Sequence, residues 1–315
     1  LTPLHQIENN LNSQSFFLYK PDNAFRVEQS EEDDETNLKL VGKNHPVGAI
    51  LHFYIKNLKE GDLVSIEIKE KDGSLIKRYN NKAKLNNLNP EADLPLSLKS
   101  GGNKLIWDMR YPGYKEFEGM VFYSSPNKGP KAIPGEYLVS LNYNGEVIEQ
   151  SLKIEKDPRL ENTDKDYRDQ FDFLINVRNQ VTRANSAIIK IREVQKDLNY
   201  LKQKSGLTEE INNLINQFEI KLSHIENNIH MTKNQSRQDP LNYGIRINNR
   251  IAFLLADSQR GDYPPTNQAK ASFREITAEL DREMEALEKL LNGSISRLNE
   301  IVSDNQIGIF SMKSP

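Results

Sequence analysis

The sequence contains no cysteine, which excludes disulfide bonds, thiolate metal ligands and cysteine nucleophiles. Its formal net charge is only −3, so electrostatics gives no reason to expect nucleic acid or an anionic membrane as a partner. No apolar run approaches the roughly 20 residues that a membrane-spanning helix needs. What remains is a polar chain of 315 residues, long enough for two domains of roughly 100–200 residues each.

Motifs of catalysis and cofactor binding are missing as well. The sequence contains no Walker A motif, no Gly-x-Gly-x-x-Gly loop and no Gly-x-Ser-x-Gly elbow. Its histidines lack the spacing of a metal motif such as His-Glu-x-x-His, and we expect surface or packing roles for them. The histidines are His5, His45, His52, His224 and His230. We therefore assign no catalytic, cofactor-binding or metal-ligating residue and expect no cofactor.

The only tryptophan, Trp107, lies in a short strand pattern between a glycine pair and a Tyr-Pro-Gly turn. A lone tryptophan in this setting is typical of the buried anchor of a β-sandwich. Because side chains alternate along a strand, Trp107 shares one face with Leu105, and Ile106 shares the other with Asp108. We therefore expect Trp107 to be buried and the preceding strands to pack against it.

Further strand patterns lie on both sides of Trp107. In one of them, Val64, Ile66 and Ile68 alternate with polar residues, which predicts an inward face. Asn144 and Gly145 separate two others and predict a two-residue hairpin turn, because both positions of that turn need positive φ. These patterns cover 49–55, 63–70, 75–80 and 136–155. About seven strands in roughly 110 residues predict an antiparallel Ig-like or fibronectin-like β-sandwich.

The stretch from 112 to 135 is so rich in proline and glycine that we expect a long excursion without regular structure. Its aromatic residues could pack on the sandwich or present a contact surface, and both interpretations stay open. They are Tyr114, Phe117, Phe122 and Tyr123.

Beyond Pro158, apolar residues recur every three or four positions, which predicts helices. No glycine or proline interrupts 159–205, so we expect one helix of about 35–40 residues there. Further helices are predicted at 207–229, 242–257 and 266–298. In the last one, Phe273, Met284 and Ile295 lie eleven residues apart, which favours a nearly straight packing seam. Together these patterns predict an antiparallel bundle of three to four helices.

The patterns divide the chain into four parts. We expect an N-terminal arm or connector at 1–37, the sandwich at 38–157, the helical bundle at 158–306 and a tail at 307–315. The first part is either a connector along a preceding domain or an arm packed on its own sandwich. Its run at 28–37 has six acids, no apolar residue and no glycine, which favours a solvated loop over a calcium site.

A few polar residues invite a functional interpretation. Asp108 and Arg110 follow the Trp107 strand, and we favour a structural ion pair between them over a partner contact. The tripeptide at 260–262, Arg-Gly-Asp, has the letters of an integrin ligand, which three residues often match by chance. Asn234 and Asn292 begin glycosylation sequons, which matter only in a eukaryotic secretory route.

Five motifs in order resemble the C-terminal region of large bacterial proteins that carry a sortilin-like, BNR-repeat β-propeller and are often labelled glycosyl hydrolases. The motifs are GNKLIWDMRYPG (102–113), IPGEYLVSL (133–141), KDPR (156–159), QFDFLINVRNQV with AIIKIREVQ (170–181, 187–195) and PLNYGIRINNRIA (240–252). The segment LTPLHQI (1–7) is similar to the one in which that propeller hands over to this region. Gly244 departs from this pattern, in which we expect proline at that position. We therefore expect a looser turn before the third helix.

The resemblance implies a β-sandwich followed by a helical bundle, attached to a larger body in an extracytoplasmic setting of a bacterium. That setting is the periplasm, the outer-membrane surface or the secreted fraction. The family's active or binding face lies on the propeller, which this chain does not contain, so no catalytic residue carries over. The chain begins at Leu1 without an initiator methionine or a signal peptide, as expected for a piece of a larger protein.

We therefore expect a non-catalytic C-terminal structural or interaction module that braces its own propeller or docks on another envelope or secreted protein. The alternative is an accessory or carbohydrate-binding part of a secreted BNR-repeat glycosyl hydrolase. That alternative needs paired acids such as Asp108 and Glu116 in a cleft, or an exposed aromatic platform. The platform would consist of Trp107, Tyr111, Tyr114 and Phe117.

Overall fold

The computed structural model describes residues 5–6, 14–28, 45–203 and 207–304, with side chains up to residue 293. The chain is a mixed α+β protein that divides into two compact units. The first comprises Leu1–Gly113, Lys128–Ile175 and Gln259–Pro264, and the second comprises Tyr114–Asn127, Asn176–Ser258 and Pro265–Pro315. The acidic run, except Glu28, and the C-terminal tail lie outside the described residues. The four-part division made from the sequence stays a prediction.

Two sheets make up most of the first unit. The strands of the described chain are β1 (Phe16–Leu18), β2 (Ala24–Arg26), β3 (Ala49–Ile55), β4 (Val64–Glu70), β5 (Leu75–Asn80), β6 (Leu94–Pro95), β7 (Gly101–Trp107), β8 (Gly135–Tyr143) and β9 (Glu146–Lys156). One sheet has the order β1-β3-β7, and the other has the order β2-β9-β8-β4-β5-β6. The pairings β2–β9 and β5–β6 are parallel, whereas the others are antiparallel. The strands that the sequence did not predict, β1, β2 and β6, have only two or three residues each.

A single hydrophobic cluster joins apolar residues from both sheets. The predicted inward face of β4 is confirmed, because Val64, Ile66 and Ile68 are all buried. Trp107 is fully buried, as expected, and its ring meets Tyr137 edge-on at 5.8 Å between centroids. The Trp107 indole Nε1 donates to the carbonyl oxygen of Arg110 at 3.2 Å, so its one polar atom is satisfied inside the core.

The turn between β8 and β9 has the predicted residues in the predicted conformation. Asn144 has φ 51° and Gly145 has φ 96°, the positive values that a two-residue hairpin turn of this kind requires. The Asn144 side chain also ties this turn to a neighbouring loop, since its Oδ1 accepts from the Leu63 amide at 2.8 Å.

Gly129 lies where the chain passes very close to itself. A Cβ atom at this position would lie 1.9 Å from the Tyr111 carbonyl oxygen and 2.6 Å from the Pro112 carbonyl oxygen. The neighbouring Pro130 carbonyl accepts a 2.9 Å hydrogen bond from the Tyr111 amide, which holds the two segments at this spacing. Only glycine therefore fits here without displacing backbone.

We expect Gly129→Ala to lower the free energy of unfolding by about 2 kcal/mol, because backbone atoms must separate to admit the methyl group. Chemical denaturation measures this. Gly135→Ala is the matched control, since a Cβ at that glycine meets no atom within 4 Å, and it should leave stability nearly unchanged. Equal effects of the two substitutions would contradict the close approach.

Helices follow the last strand. They are α1 (Asp164–Lys202), α2 (Glu209–Ile229), α3 (Pro240–Tyr243), α4 (Ile247–Ser258) and α5 (Asn267–Asp304). The predicted long first helix is confirmed: α1 has 39 residues and is about 58 Å long. Residues 164–175 of α1 belong to the first unit and its remainder to the second.

The predicted bounds of the third helix are wrong. A single third helix was predicted from residue 242, but α4 begins only at Ile247, because Gly244 adopts φ 77° and ends the single turn of α3. In α5 the buried residues are Ile276, Leu280, Leu287 and Leu291. The predicted seam residues Phe273 and Met284 are only half-buried, and the side chain of Ile295 lies outside the described ones.

Helices α1 and α2 run in opposite directions along each other within the second unit. Arg192 pairs with Glu226 at 2.8 Å, Gln195 with Ser223 at 3.2 Å, and Lys202 with Glu219. Because the partner number falls as the α1 number rises, the two helices are antiparallel over this stretch.

Candidate functional site

The side chains that the sequence suggested for an ion pair, Asp108 and Arg110, do not form one, although Asp108 Oδ1 accepts from the Arg110 backbone amide at 3.1 Å. The Asp108 carboxylate accepts from Lys77 Nζ at 2.9 Å, whereas the Arg110 guanidinium donates to the Gly129 carbonyl and to Gln259 Oε1, both at 2.7 Å. β7 ends at Trp107 and Met109 has φ 54°, so the strand alternation that would align the two side chains is lost. Both groups instead tie loops together.

The predicted aromatic platform is not an exposed surface. Trp107, Tyr114 and Phe117 are buried, and Tyr111 is half-buried, with its ring edge-on to Phe171 at 4.8 Å. Of the suggested acids, Asp108 belongs to the first unit and pairs with Lys77, while Glu116 belongs to the second and accepts from Asn127.

The Arg-Gly-Asp tripeptide does not present its acid to solvent. Asp262 is buried and forms a 2.9 Å ion pair with Arg26. Of the two sequon residues, Asn234 is buried and Asn292 is exposed. The tripeptide is therefore a structural element of the first unit.

Arg26 is the centre of a buried polar cluster in the first unit. Its guanidinium pairs with Asp262 and donates to the Ala132 carbonyl oxygen and to Gln170 Oε1, at 2.9 and 2.8 Å. The charged carbon of the guanidinium also lies 5.0 Å from the centre of the Tyr167 ring. Because both members of the ion pair are almost completely buried, removing either one would leave an uncompensated buried charge.

Two further cations lie at the margin of this cluster. Lys131 pairs with Glu28 at 3.5 Å, and burial lowers the pKa of the Lys131 amine. Burial also lowers the pKa of Arg110, although the nearby carboxylates oppose this. Both pKa values are lowered because water solvates these two cations poorly, as expected for groups with a structural role.

Strand β2 connects the cluster to an open cleft in the first unit. Side chains alternate along β2, so Ala24 and Arg26 point inward while Phe25 is 46% exposed. The cleft has a volume of about 700 Å³, which is within the usual range for binding pockets. Its apolar lining consists of Tyr19, Pro21, Ala24, Phe25, Val27, Pro46, Val47, Gly48, Ile50 and Pro158.

Several polar residues of this cleft already have structural partners. Asp157 binds Arg159 through both carboxylate oxygens, and Asn23 donates to Glu155 at 2.8 Å. Burial, followed by the charge of Lys104, lowers the pKa of His52, so this imidazole is neutral at physiological pH. The cleft therefore offers mainly apolar surface, including Val47, which is 42% exposed.

Residues 114–127 of the irregular excursion pack on the helices of the second unit, whereas Ala132 near its end belongs to the hydrophobic cluster of the first unit. The Asn185 side chain donates to the Lys115 carbonyl at 2.7 Å, and Arg192 donates to the Glu118 carbonyl at 2.9 Å. The Asn249 side chain binds Tyr123 in both directions, accepting from its amide at 2.8 Å and donating to its carbonyl at 3.2 Å. Side-chain amides thus replace the backbone ladder that residues 114–127 lack.

Beneath this excursion lies a buried polar core that the sequence did not reveal. The Asn248 amide nitrogen donates to Asn185 Oδ1 at 3.1 Å and lies 3.2 Å from His230 Nδ1. The His230 ring packs edge-on against Phe117 at 4.8 Å. Burial, followed by the charge of Arg192, lowers the pKa of His230 to about 4. In the sequence, this core is indicated by two consecutive asparagines, Asn248 and Asn249, on the inward side of a helix pattern.

Within the ranges that the structure describes, no group of three or more histidine, aspartate or glutamate side chains could hold a metal ion. Across the same ranges, no helix combines the length and the apolar character needed to cross a bilayer.

Comparison with known proteins gives no family. No protein-family model matches the chain, and no curated protein is similar to it. One solved structure, named pT26-6p, aligns with 77% of this chain at 11% identity and a TM-score of 0.15. The alignment spans 48% of that protein, and a similarity this weak carries no argument about fold or function.

Proposed function

We propose that this chain is a non-catalytic structural and interaction module of a larger extracytoplasmic bacterial protein. It would brace a preceding β-propeller or dock on an envelope partner. The observation that carries the proposal is the cleft beside β2, where Phe25 and Val47 are exposed between three prolines. An open apolar cleft with few free polar groups suits contact with another protein surface better than chemistry on a small substrate.

Two structural features support the finer architecture within this proposal. Apolar residues of both sheets share one core, as they do in an Ig-like or fibronectin-like sandwich. The antiparallel pairing of α1 with α2 fits a bundle of three to four helices. The five motifs that resemble propeller-linked proteins support the same arrangement of domains.

One wall of the cleft, β2, is attached to the rest of the first unit by backbone pairing and by a buried ion pair. β2 has only three residues, and among the described strands it pairs with β9 alone. Arg26 anchors it from the opposite face through the ion pair with Asp262. The pairing with β9 and the Arg26 ion pair thus attach the backbone on both sides of Phe25 to the rest of the first unit.

Site-specific photo-cross-linking in the producing cells tests the proposal. A photoreactive phenylalanine analogue at position 25 should cross-link to a preceding propeller of the same protein or to an envelope protein. The matched control is the same analogue at Ile220, which is 70% exposed on α2 and is not among the residues that line the cleft. Specific cross-links at 25 only are expected, and cell fractionation should place them outside the cytoplasm. Absence of a protein cross-link at 25, or equal products at both positions, would contradict the proposal.

The same experiment addresses the carbohydrate-binding alternative. A sugar-binding role would have to use residues other than the predicted platform, because three of those four aromatics are buried. Products at residue 25 that contain glycan and no protein would favour that alternative.

A further inference from the structure

A short exposed apolar run stands on the second unit where α3 leads into α4. Leu241 is 64% exposed, Tyr243 is 48% exposed and Ile245 is 41% exposed. These three residues belong to the motif at 240–252, whose neighbouring asparagines hold the excursion in place. The asparagines of this motif are buried and have a structural role, whereas its three exposed apolar residues have no such role.

The run is held in a defined conformation. The Asp239 carboxylate accepts from the backbone amides of Gln235 and Ser236, at 2.7 and 2.8 Å, just before α3. Gly244 then adopts φ 77° and turns the chain into α4. Lys233 Nζ lies 5.8 Å from the centre of the Tyr243 ring, on one of its faces. The three apolar side chains are thus presented by a structured turn.

Beside this run is a charged cleft of about 410 Å³, which Ile245 also lines. Its two acids already have partners: Glu279 binds Arg250 through both oxygens, at 2.6 and 3.2 Å, and Glu283 accepts from Asn228 at 3.0 Å. The remaining charged groups in the lining are Arg246 and Arg282. Both are exposed, and within the described part of the chain neither has an ion pair.

We propose that the apolar run and this cleft together dock a segment of a partner protein in which an acidic side chain adjoins apolar ones. Leu241, Tyr243 and Ile245 would cover the apolar side chains of that segment. Arg246 and Arg282 would receive its carboxylate, because a guanidinium binds a carboxylate through two parallel hydrogen bonds. This inference rests on the proposed interaction function and gives the chemistry of one partner.

The net charge of the cleft favours an acidic side chain in the partner segment. Three arginines face two glutamates, and both glutamates are engaged, so an incoming carboxylate meets an excess of positive charge. The same guanidinium groups could hold a free phosphate. A free phosphate would gain nothing from the apolar run, so the two kinds of ligand can be separated by experiment.

The test is selection from a random peptide library displayed on phage, with the full chain immobilised. The enriched peptides should contain aspartate or glutamate next to apolar residues, and synthetic copies should bind more weakly as salt rises. Replacing their acids by amides should weaken binding about tenfold, as should Arg246→Gln combined with Arg282→Gln. Lysine at both positions should restore part of the affinity.

The control variant is Arg274→Gln, an exposed arginine two turns before Arg282 on the same helix, which should leave binding unchanged. Enriched peptides without acids, or no enrichment, would overturn the proposal. Competition by inorganic phosphate alone would also overturn it, because that result means simple anion binding. A dimer that the Arg246 and Arg282 variants dissociate would overturn it as well, because a second copy of the chain would then occupy the surface. Loss of the cross-link at residue 25 with peptide binding retained would contradict only the wider function, because the two surfaces belong to different units.

Discussion

Asp262→Ala should lower the free energy of unfolding by about 4 kcal/mol, because it leaves the Arg26 guanidinium buried without its counter-charge. The remaining acceptors of Arg26, the carbonyls of Lys131 and Ala132 and the side chain of Gln170, are neutral and cannot neutralise it. Urea denaturation followed by tryptophan fluorescence measures the effect directly. Trp107 is the only tryptophan and lies in the core of the same unit, so its signal reports this unit alone.

A double variant separates the charge from the packing. Arg26→Met combined with Asp262→Leu removes both charges and keeps similar volume, so it should recover most of the lost stability. Glu136→Ala is the control, because its partner Lys71 is also exposed and such pairs contribute roughly 0–1 kcal/mol. A cost below about 1 kcal/mol for Asp262→Ala would show that the pair is not buried in solution.

Lowering the pH from about 7 to about 4 should remove about 3 kcal/mol of stability through His230 alone. In the folded chain the pKa of His230 is about 4, below the usual 6.5, because burial and the charge of Arg192 disfavour the protonated form. The unfolded chain therefore binds a proton first as the pH falls. The contribution is fully present above pH 6.5 and is lost as the pH decreases toward 4.

The measurement is denaturation at several pH values, followed by far-ultraviolet circular dichroism, which reports the helices around His230. His230→Gln should abolish this part of the pH dependence even if it lowers stability overall. His224→Gln changes an exposed histidine on α2, the helix that ends just before His230, and should retain it. An unchanged pH profile in His230→Gln would mean that the imidazole is solvated.

Periodic burial is what the sequence could predict. The alternation of Val64, Ile66 and Ile68, the Asn144-Gly145 turn and the uninterrupted run that became α1 all have local causes, and all three are confirmed. Such features depend on the period of a strand or helix and on the φ preference of a turn residue. They need no knowledge of distant partners.

What could not be predicted depends on contacts between residues far apart in the chain. Arg26 and Asp262 are 236 residues apart, and no local pattern relates them. The excursion is attached by side-chain amides to backbone carbonyls, which leave no periodic trace in the sequence. β1, β2 and β6 are too short to show an alternation of their own. The apolar cleft went unrecognised for the same reason, since its wall is β2.

The use of residues 259–264 by the first unit has an evolutionary consequence. Neither unit is encoded by one contiguous stretch of gene, so a single recombination crossover between the codons of Arg26 and Asp262 would bring together halves of the ion pair from different ancestors. Homologous exchange within this interval is tolerated only if both parents carry the same pair. We therefore expect the two units to be inherited together and not shuffled as independent cassettes.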